Sequence, residues 1–209
     1  LLLFSLSSFA QIGAKVTYLA NDGFMIEHAG SKIIIDGVFG NIHEAWCDSP
    51  SDSLIELLQQ SEAPFKGVEI VAVTHYHRDH FNSTLMMSFL KQHSETTLIC
   101  PKQVDSILQL ERDYGRIRKQ IIAITPEFLK DSVLHVADME VRILRLEHSH
   151  YLVEDTITGE AWNKHRKVEN IGFVFKLDSL SFFHSGDANP LNEEEFKTFR
   201  LDKEELDIA

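Results

Sequence analysis

The sequence has few cysteines and no long apolar segment. Only two cysteines, Cys47 and Cys100, occur among 209 residues. A disulfide framework is therefore excluded, although one bridge could form in an oxidising compartment. Alternatively, both cysteines are small buried apolar side chains. No stretch after the first eleven residues approaches the roughly 20 apolar residues that a membrane-spanning helix needs. We therefore expect a soluble protein that does not insert into a membrane.

Basic residues are also scarce relative to acidic ones. Twenty Lys and Arg stand against thirty-two Asp and Glu, for a net charge of -12. Such a charge repels nucleic acids and anionic membranes, so we expect neither as a partner. One basic cluster could still bind a phosphate or carboxylate. It comprises Arg112, Arg116, Arg118 and Lys119. Clusters of this kind more often mark a solvated helix end. A small-molecule substrate is the expected partner, and the sequence does not determine the oligomeric state.

The first ten residues form an apolar segment interrupted by serines and ending in Ala10. This pattern is typical of the apolar core and the small-residue exit of a secretory signal, but the basic front end is missing. An apolar first strand is the alternative. Under the first interpretation, residues 1–10 are the remnant of a signal peptide, and the protein is exported, periplasmic or secreted. Residues 11–209 then form one domain, which their length and 44% hydrophobic content allow.

Strand-like and helix-like segments alternate along most of the chain. This interspersed order predicts sheets covered by helices in layers, an α/β architecture of the α+β layered kind. Turn residues between the first three strands predict an antiparallel meander. The expected helices cover residues 54–58 and 84–92 and a segment that begins near Pro101. The expected strands are residues 16–20, 24–28, 32–36, 68–74, 96–100, 120–125, 133–136, 141–146, 171–177 and 180–184.

A dense group of metal-ligand residues follows the predicted strand at residues 68–74. It consists of His75, His77, Asp79 and His80. In an extended segment His75, His77 and Asp79 can point to one side while His80 points elsewhere, so one loop can serve two adjacent cations. Imidazoles and carboxylates suit Zn²⁺ and also Fe or Mn. Burying these groups without partners would be costly, which favours metal binding over a structural role.

Two further ligands are expected from the ends of distant strands. His148 follows the strand at residues 141–146, and Asp187 follows the strand at residues 180–184. Gly186 permits a tight turn that can aim the Asp187 carboxylate, and a carboxylate can bridge two cations. His150 follows closely in the sequence, and the sequence does not decide whether His148 or His150 is the ligand. We interpret His150 and His184 as groups that support the ligands or lie on the surface.

The motif His-x-His-x-Asp-His at residues 75–80 resembles the signature of the metallo-β-lactamase superfamily. Residues 22–27, 32–38 and 169–173 resemble its branch of ascorbate-phosphate-lactonase-like hydrolases. The resemblance implies an αββα sandwich in which His75, His77 and His148 hold a first metal. Asp79 and His80 would hold a second metal, with Asp187 bridging. The superfamily's last histidine ligand has no counterpart after His184, so the resemblance also implies a fragment truncated at the C-terminus.

The expected activity is hydrolysis of a small ester, lactone or phosphoester by a metal-bound hydroxide, with two Zn²⁺ as the expected cofactors. Asp79 would act as the catalytic residue, orienting the water and carrying a proton to the leaving group. Alternatives are an iron redox centre, a metal-binding domain without catalysis and an acidic interaction domain. A serine nucleophile at Ser149 or Ser185 is disfavoured, because neither has glycines on both sides.

Overall fold

The computed structural model describes residues 13–209, and the predicted signal remnant lies outside this range. The helices are α1 (Asp52–Leu58), α2 (Ser83–Gln92), α3 (Lys102–Leu108), α4 (Tyr114–Ile117) and α5 (Glu193–Thr198). The strands are β1 (Lys15–Ala20), β2 (Gly23–His28), β3 (Ser31–Ile35), β4 (Ile70–Ala72), β5 (Thr97–Cys100), β6 (Ile121–Ala123), β7 (Asp131–Val136), β8 (Met139–Leu146), β9 (Leu152–Glu154), β10 (Ala161–Asn163), β11 (Asn170–Leu177) and β12 (Leu180–His184).

The first half of the chain forms a six-stranded sheet in the order β1 to β6. Its first three strands pair antiparallel, which confirms the predicted meander. From β3 to β6 the pairing is parallel. Parallel neighbours need crossover connections, and α1, α2 and α3 provide them on one face of the sheet. The carboxyl ends of β3, β4 and β5 therefore lie along the same edge.

The second half forms a four-stranded antiparallel sheet in the order β12-β11-β8-β7. A separate hairpin, β9 with β10, leaves this sheet between β8 and β11. The sequence did not predict these two strands, because each has only three residues and carries little alternation of apolar and polar side chains. The hairpin places residues 151–165 beside the end of β8.

Alternating side chains build the layers. On β3, Ile33 and Ile35 face the second sheet, where they pack in one core with Phe173 and Phe175. Ile34 points the other way and packs against the helices that cover the first sheet. On the outer face of the second sheet, Leu144 and its neighbours pack against α5. The order is helices, sheet, sheet, helix, so the predicted αββα sandwich is confirmed.

The predicted elements are present with bounds shifted by at most two residues. Ser51 caps α1 by accepting a hydrogen bond from the Leu54 amide, and Asn82 caps α2 in the same way. Helix α5, which the sequence analysis did not predict, begins in three consecutive glutamates that interact favourably with its amino terminus. Cys47 and Cys100 are free and buried, in agreement with the structural interpretation. No helix within residues 13–209 is long and apolar enough to cross a membrane.

We expect the core between the sheets to dominate stability. Phe175 is fully buried and its ring lies 4.9 Å from that of Phe182. Phe175→Ala should lower the free energy of unfolding by about 3–5 kcal/mol, because it removes buried area and leaves a cavity. Ile157→Ala is the control, since Ile157 is 94% exposed and its change should stay within about 0.5 kcal/mol. Urea denaturation followed by circular dichroism measures both, and equal midpoints would contradict this assignment of the core.

Candidate metal centre

Three imidazoles converge at the edge where the two sheets meet. His75 and His77 follow β4, and His148 follows β8. His75 Nε2 lies 2.9 Å from His77 Nδ1 and 3.2 Å from His148 Nε2, and the third side of this triangle measures 3.1 Å. The backbone bond from Ile171 N to Thr74 O, 3.0 Å, ties the two sheets together at this point. We call these three nitrogens the histidine triangle.

Hydrogen bonds fix which nitrogen of His75 and of His148 carries the proton. Thr74 Oγ1 donates to Asp36 Oδ2 (2.6 Å), so it accepts from His75 Nδ1 (3.0 Å). His148 Nδ1 donates to the Ser149 carbonyl at 2.9 Å. In both residues Nε2 is therefore left with a lone pair that points into the histidine triangle. Such outer hydrogen bonds are the usual way in which a protein orients imidazole ligands.

The imidazoles of the triangle are held neutral. Burial lowers the pKa of His75 well below its ordinary value, and repulsion by His80 and His77 lowers it further. Burial, with repulsion by His148 and His165, lowers the pKa of His77 to about 4. The pKa of His148 is also lowered, and burial is the main cause. Neutral imidazole is the form that binds a cation, so the triangle is prepared for one near neutral pH.

A second group of ligand atoms surrounds His80. Its Nε2 lies 3.2 Å from Asp187 Oδ1 and 3.5 Å from Asp79 Oδ2. Asp22, in the turn between β1 and β2, also brings a carboxylate oxygen within 4.8 Å of the ligand atoms of His80 and Asp187. His80 Nδ1 bonds to Asp36 Oδ2 at 2.9 Å, which directs Nε2 toward these carboxylates. We call these four residues, His80, Asp79, Asp187 and Asp22, the carboxylate cluster.

Asp187 connects the histidine triangle with the carboxylate cluster. Its Oδ2 lies 3.5 Å from His148 Nε2 and 3.9 Å from His75 Nε2, while its Oδ1 faces His80. Burial would raise the pKa of Asp187, but its close contact with His80 outweighs burial and lowers the pKa to about 2. Gly186 makes this placement feasible: its φ is +56°, and a Cβ there would lie 2.6 Å from Thr74 Cβ. Glycine is needed both for its backbone conformation and for the close approach.

The donor set fits divalent cations of the zinc class. In a tetrahedral zinc site with bonds of 2.0–2.1 Å, ligand atoms lie about 3.3 Å apart, close to the sides of the histidine triangle. His80 Nε2 is buried and lacks a hydrogen-bond partner among the described residues, as expected for an atom prepared to bind a cation. The structure thus brings all six predicted ligands together, and their ligation of metal stays a prediction.

Several functional neighbours were missed by the sequence analysis. Asp36 entered it only through the family resemblance, yet it is fully buried and contacts both Thr74 and His80. Its position directly after a buried apolar strand was the available signal. His165 was not among the predicted ligands, but its ring packs 4.3 Å from that of His148 and 4.7 Å from that of His77. Only the unpredicted β9-β10 hairpin brings His165 there.

The remaining candidates have supporting or surface positions. His150 bonds to Glu147 at 3.0 Å, and it does not belong to the described clusters of ligand atoms. The geometry thus favours His148 over His150. His184 accepts from the Gly186 amide through Nδ1 and donates to the Asp22 carbonyl through Nε2, so it supports two loops of the centre. The hydroxyl of Ser185 donates to the Gly186 carbonyl, where it has no adjacent base.

A pocket of about 710 Å³ opens directly over the centre. His77, Asp79 and Asp187 contribute to its floor, and its walls carry both aromatic and cationic side chains. This volume is within the range of small-molecule sites. The wall residues are Trp46, Arg78, Tyr151, Lys164 and His165.

The fold and the site together define a family. A family model described as "Beta-lactamase superfamily domain" matches residues 32–202. The chain therefore belongs to this superfamily, and its fold is the metallo-β-lactamase sandwich predicted from the sequence. No curated protein matches the chain at a significant level.

Solved structures with the same fold are similar to this chain at low identity. A "possible metal-dependent hydrolase" from Veillonella parvula has 17% identity and a TM-score of 0.54, over 91% of this chain and 69% of that one. A novel metallo hydrolase from Ignicoccus hospitalis has 18% identity and a TM-score of 0.50, over 84% and 61%. A candidate metal-dependent hydrolase from Parabacteroides distasonis has 14% identity and a TM-score of 0.50, over 84% and 61%. The chain thus spans less than two thirds of the last two proteins, and these likenesses show the fold alone.

We expect His148, and not His150, to bind metal. His148→Ala removes one corner of the histidine triangle and should reduce bound metal by about one ion per chain after desalting, because three-ligand sites lose affinity steeply when a ligand is removed. His150→Ala should leave the metal content unchanged. Plasma mass spectrometry measures metal per chain, and thermal unfolding confirms that each variant is folded. Metal loss in the His150 variant alone would contradict the assignment.

Proposed function

We propose that the protein is a dinuclear metal-dependent hydrolase of the lactonase-like branch of its superfamily, acting on a small ester, lactone or phosphoester. One observation carries this proposal: the two oxygens of Asp187 face different groups, Oδ2 toward the histidine triangle and Oδ1 toward His80. A carboxylate in this position can join two cations within one site. The solved structures with the same fold that are described as metal-dependent hydrolases support the class of reaction.

When bound, such cations lower the pKa of a coordinated water and polarise the substrate oxygen. The chain supplies proton transfer through Asp79. Burial alone would raise the pKa of Asp79, but the nearby His80 outweighs burial and lowers it. Asn21 Nδ2 donates to Asp79 Oδ2 at 3.3 Å and so helps to hold this carboxylate on the pocket floor. An ionised carboxylate held there can take a proton from the attacking water and pass it to the leaving group.

The pocket walls favour a small substrate with negative charge. The Lys164 ammonium lies 5.3 Å from the centre of the Tyr151 ring, at the rim of the pocket. Arg78 also lines the pocket, but it is already paired with Glu44 at 2.8 Å. Lys164 is therefore the cation better able to meet a carboxylate or phosphate on the substrate. His165 and Tyr151 add surfaces against which an apolar ring can pack.

The first test is substrate turnover. We expect the zinc- or manganese-loaded protein to hydrolyse at least one substrate in a panel of lactones, phosphodiesters and β-lactams. Asp79→Asn should lower kcat by roughly 10²–10⁴-fold, the usual contribution of a general base. Asp138→Asn, at the exposed turn between β7 and β8, is the charge-matched control. A metal-loaded wild type that is inactive on the whole panel contradicts the proposal, and two bound Fe with an oxygen-dependent absorption band would favour redox chemistry instead.

The second test concerns substrate charge. Lys164→Met keeps an unbranched side chain of nearly the same length but removes its charge, so KM for an anionic substrate should rise roughly tenfold while kcat changes little. KM for a neutral analogue should stay the same, because that analogue has no partner for the ammonium. Lys130→Met is the matched control, because Lys130 is exposed and does not line the pocket. An equal rise of KM for both substrates would show that Lys164 acts through the shape of the pocket and not through its charge.

A further inference from the structure

We propose that Asp22 is a ligand of the second cation, so that the second position prefers a harder ion such as Mn²⁺ while the histidine triangle holds Zn²⁺. This inference rests on the proposed dinuclear centre, but it concerns metal binding and can be tested without catalysis. Neither the His-x-His-x-Asp-His motif nor the two distant strand ends point to Asp22. The three-dimensional position of the β1-β2 turn does.

The first argument is proximity. One carboxylate oxygen of Asp22, His80 Nε2 and one oxygen of Asp187 lie within 4.8 Å of one another. Ligand atoms on opposite sides of one ion, with bonds of about 2.2 Å, lie about 4.4 Å apart. A small rotation of the Asp22 side chain is thus enough for all three atoms to reach one cation. Asp22 is exposed whereas His80 is buried, so this position is accessible from solvent.

The second argument is the buried nitrogen of His80. Its Nε2 has no hydrogen-bond partner among residues 13–209, although the side chain is fully buried. The Nδ1 bond to Asp36 aims this nitrogen at the oxygens of Asp79 and Asp187. A buried polar atom without a partner is costly, and a cation shared with the surrounding carboxylates removes that cost. The acidic residues are therefore arranged around a specific ligand atom and are more than a charged surface.

The third argument is that the turn is held in place. Asn21 has a positive φ of 47° and its side chain donates to Asp79. A Cβ on Gly23 would lie 2.8 Å from the carbonyl oxygens of Ala20 and Asp36, so the chain passes closely over the end of β3. His184 Nε2 donates to the Asp22 carbonyl at 3.1 Å. The backbone of Asp22 is thus fixed by residues that also support the other ligands.

The two positions differ in the chemistry of their donors. The histidine triangle offers three nitrogens and one oxygen of Asp187, a set that suits Zn²⁺. The second position offers one nitrogen from His80 and carboxylate oxygens from Asp79, Asp187 and Asp22. Carboxylate-rich sites favour Mn²⁺ relative to sites rich in imidazole, and protein sites achieve metal selectivity through ligand type rather than through total affinity.

The test measures binding of manganese directly. The purified chain is loaded with one equivalent of Zn²⁺ and titrated with Mn²⁺, and free Mn²⁺ is read from its electron paramagnetic resonance signal. We expect one Mn²⁺ per chain in the wild type. Asp22→Asn should weaken its Kd by roughly 10- to 100-fold, while Zn²⁺ content stays at one. Asp138→Asn, which removes the same charge from another exposed hairpin turn, should match the wild type.

A second variant tests ligand type. Asp22→His replaces an oxygen donor by a nitrogen donor, so the second position should now bind Zn²⁺ in preference to Mn²⁺ when both are supplied. An unchanged Mn²⁺ affinity in Asp22→Asn, or a wild type that takes up no Mn²⁺ beside one Zn²⁺, overturns the inference. If manganese binds through Asp22 but no substrate is hydrolysed, this inference stands and the proposed function fails.

Discussion

The buried carboxylate of Asp36 is the interaction on which the candidate centre depends. It accepts hydrogen bonds from the Thr74 amide at 2.8 Å and the Thr74 hydroxyl at 2.6 Å, and it bonds to His80 Nδ1 at 2.9 Å. Through Thr74 it sets the tautomer of His75, and directly it orients the ring of His80 through Nδ1. One carboxylate therefore orients a ligand in each of the two groups. Because Asp36 is inaccessible to solvent, no water competes for these bonds, and they hold the imidazoles in single orientations.

The two sheets contribute unequal parts of the centre, and the contacts between them determine its shape. The first sheet provides the loop from His75 to His80, whereas the second provides His148 and Asp187. The loop of Asp187 fits under Thr74 only because residue 186 has no side chain. The isolated bridge between His148 and Ala188 fixes the two loops of the second sheet against each other. Formation of the centre therefore requires both halves of the fold to be packed.

The electrostatics of the two groups are opposed. Mutual repulsion and burial keep the imidazoles of the triangle neutral. Around His80 the effect of burial is outweighed, because Asp36 and Asp187 raise its pKa well above the ordinary value. The carboxylates around His80 thus attract positive charge, whereas the histidine triangle offers the lone pairs of neutral imidazoles. Two cations bound side by side would meet different donor atoms, which gives a physical basis for distinct metal preferences at the two positions.

The layered architecture and the six ligand candidates could be predicted from the amino-acid sequence, because strand alternation and ligand spacing are local properties. His75, His77, Asp79 and His80 are contiguous, and His148 and Asp187 directly follow recognisable strands. Only the tertiary structure shows that Asp22, Asp36 and His165 lie at the candidate centre. The bonds from Asp36 span 38 and 44 residues of sequence, and they exist because β3 pairs in parallel with β4. His165 depends on a hairpin too short to leave a periodic pattern. Such contacts follow from the packing of distant segments, which no local pattern encodes.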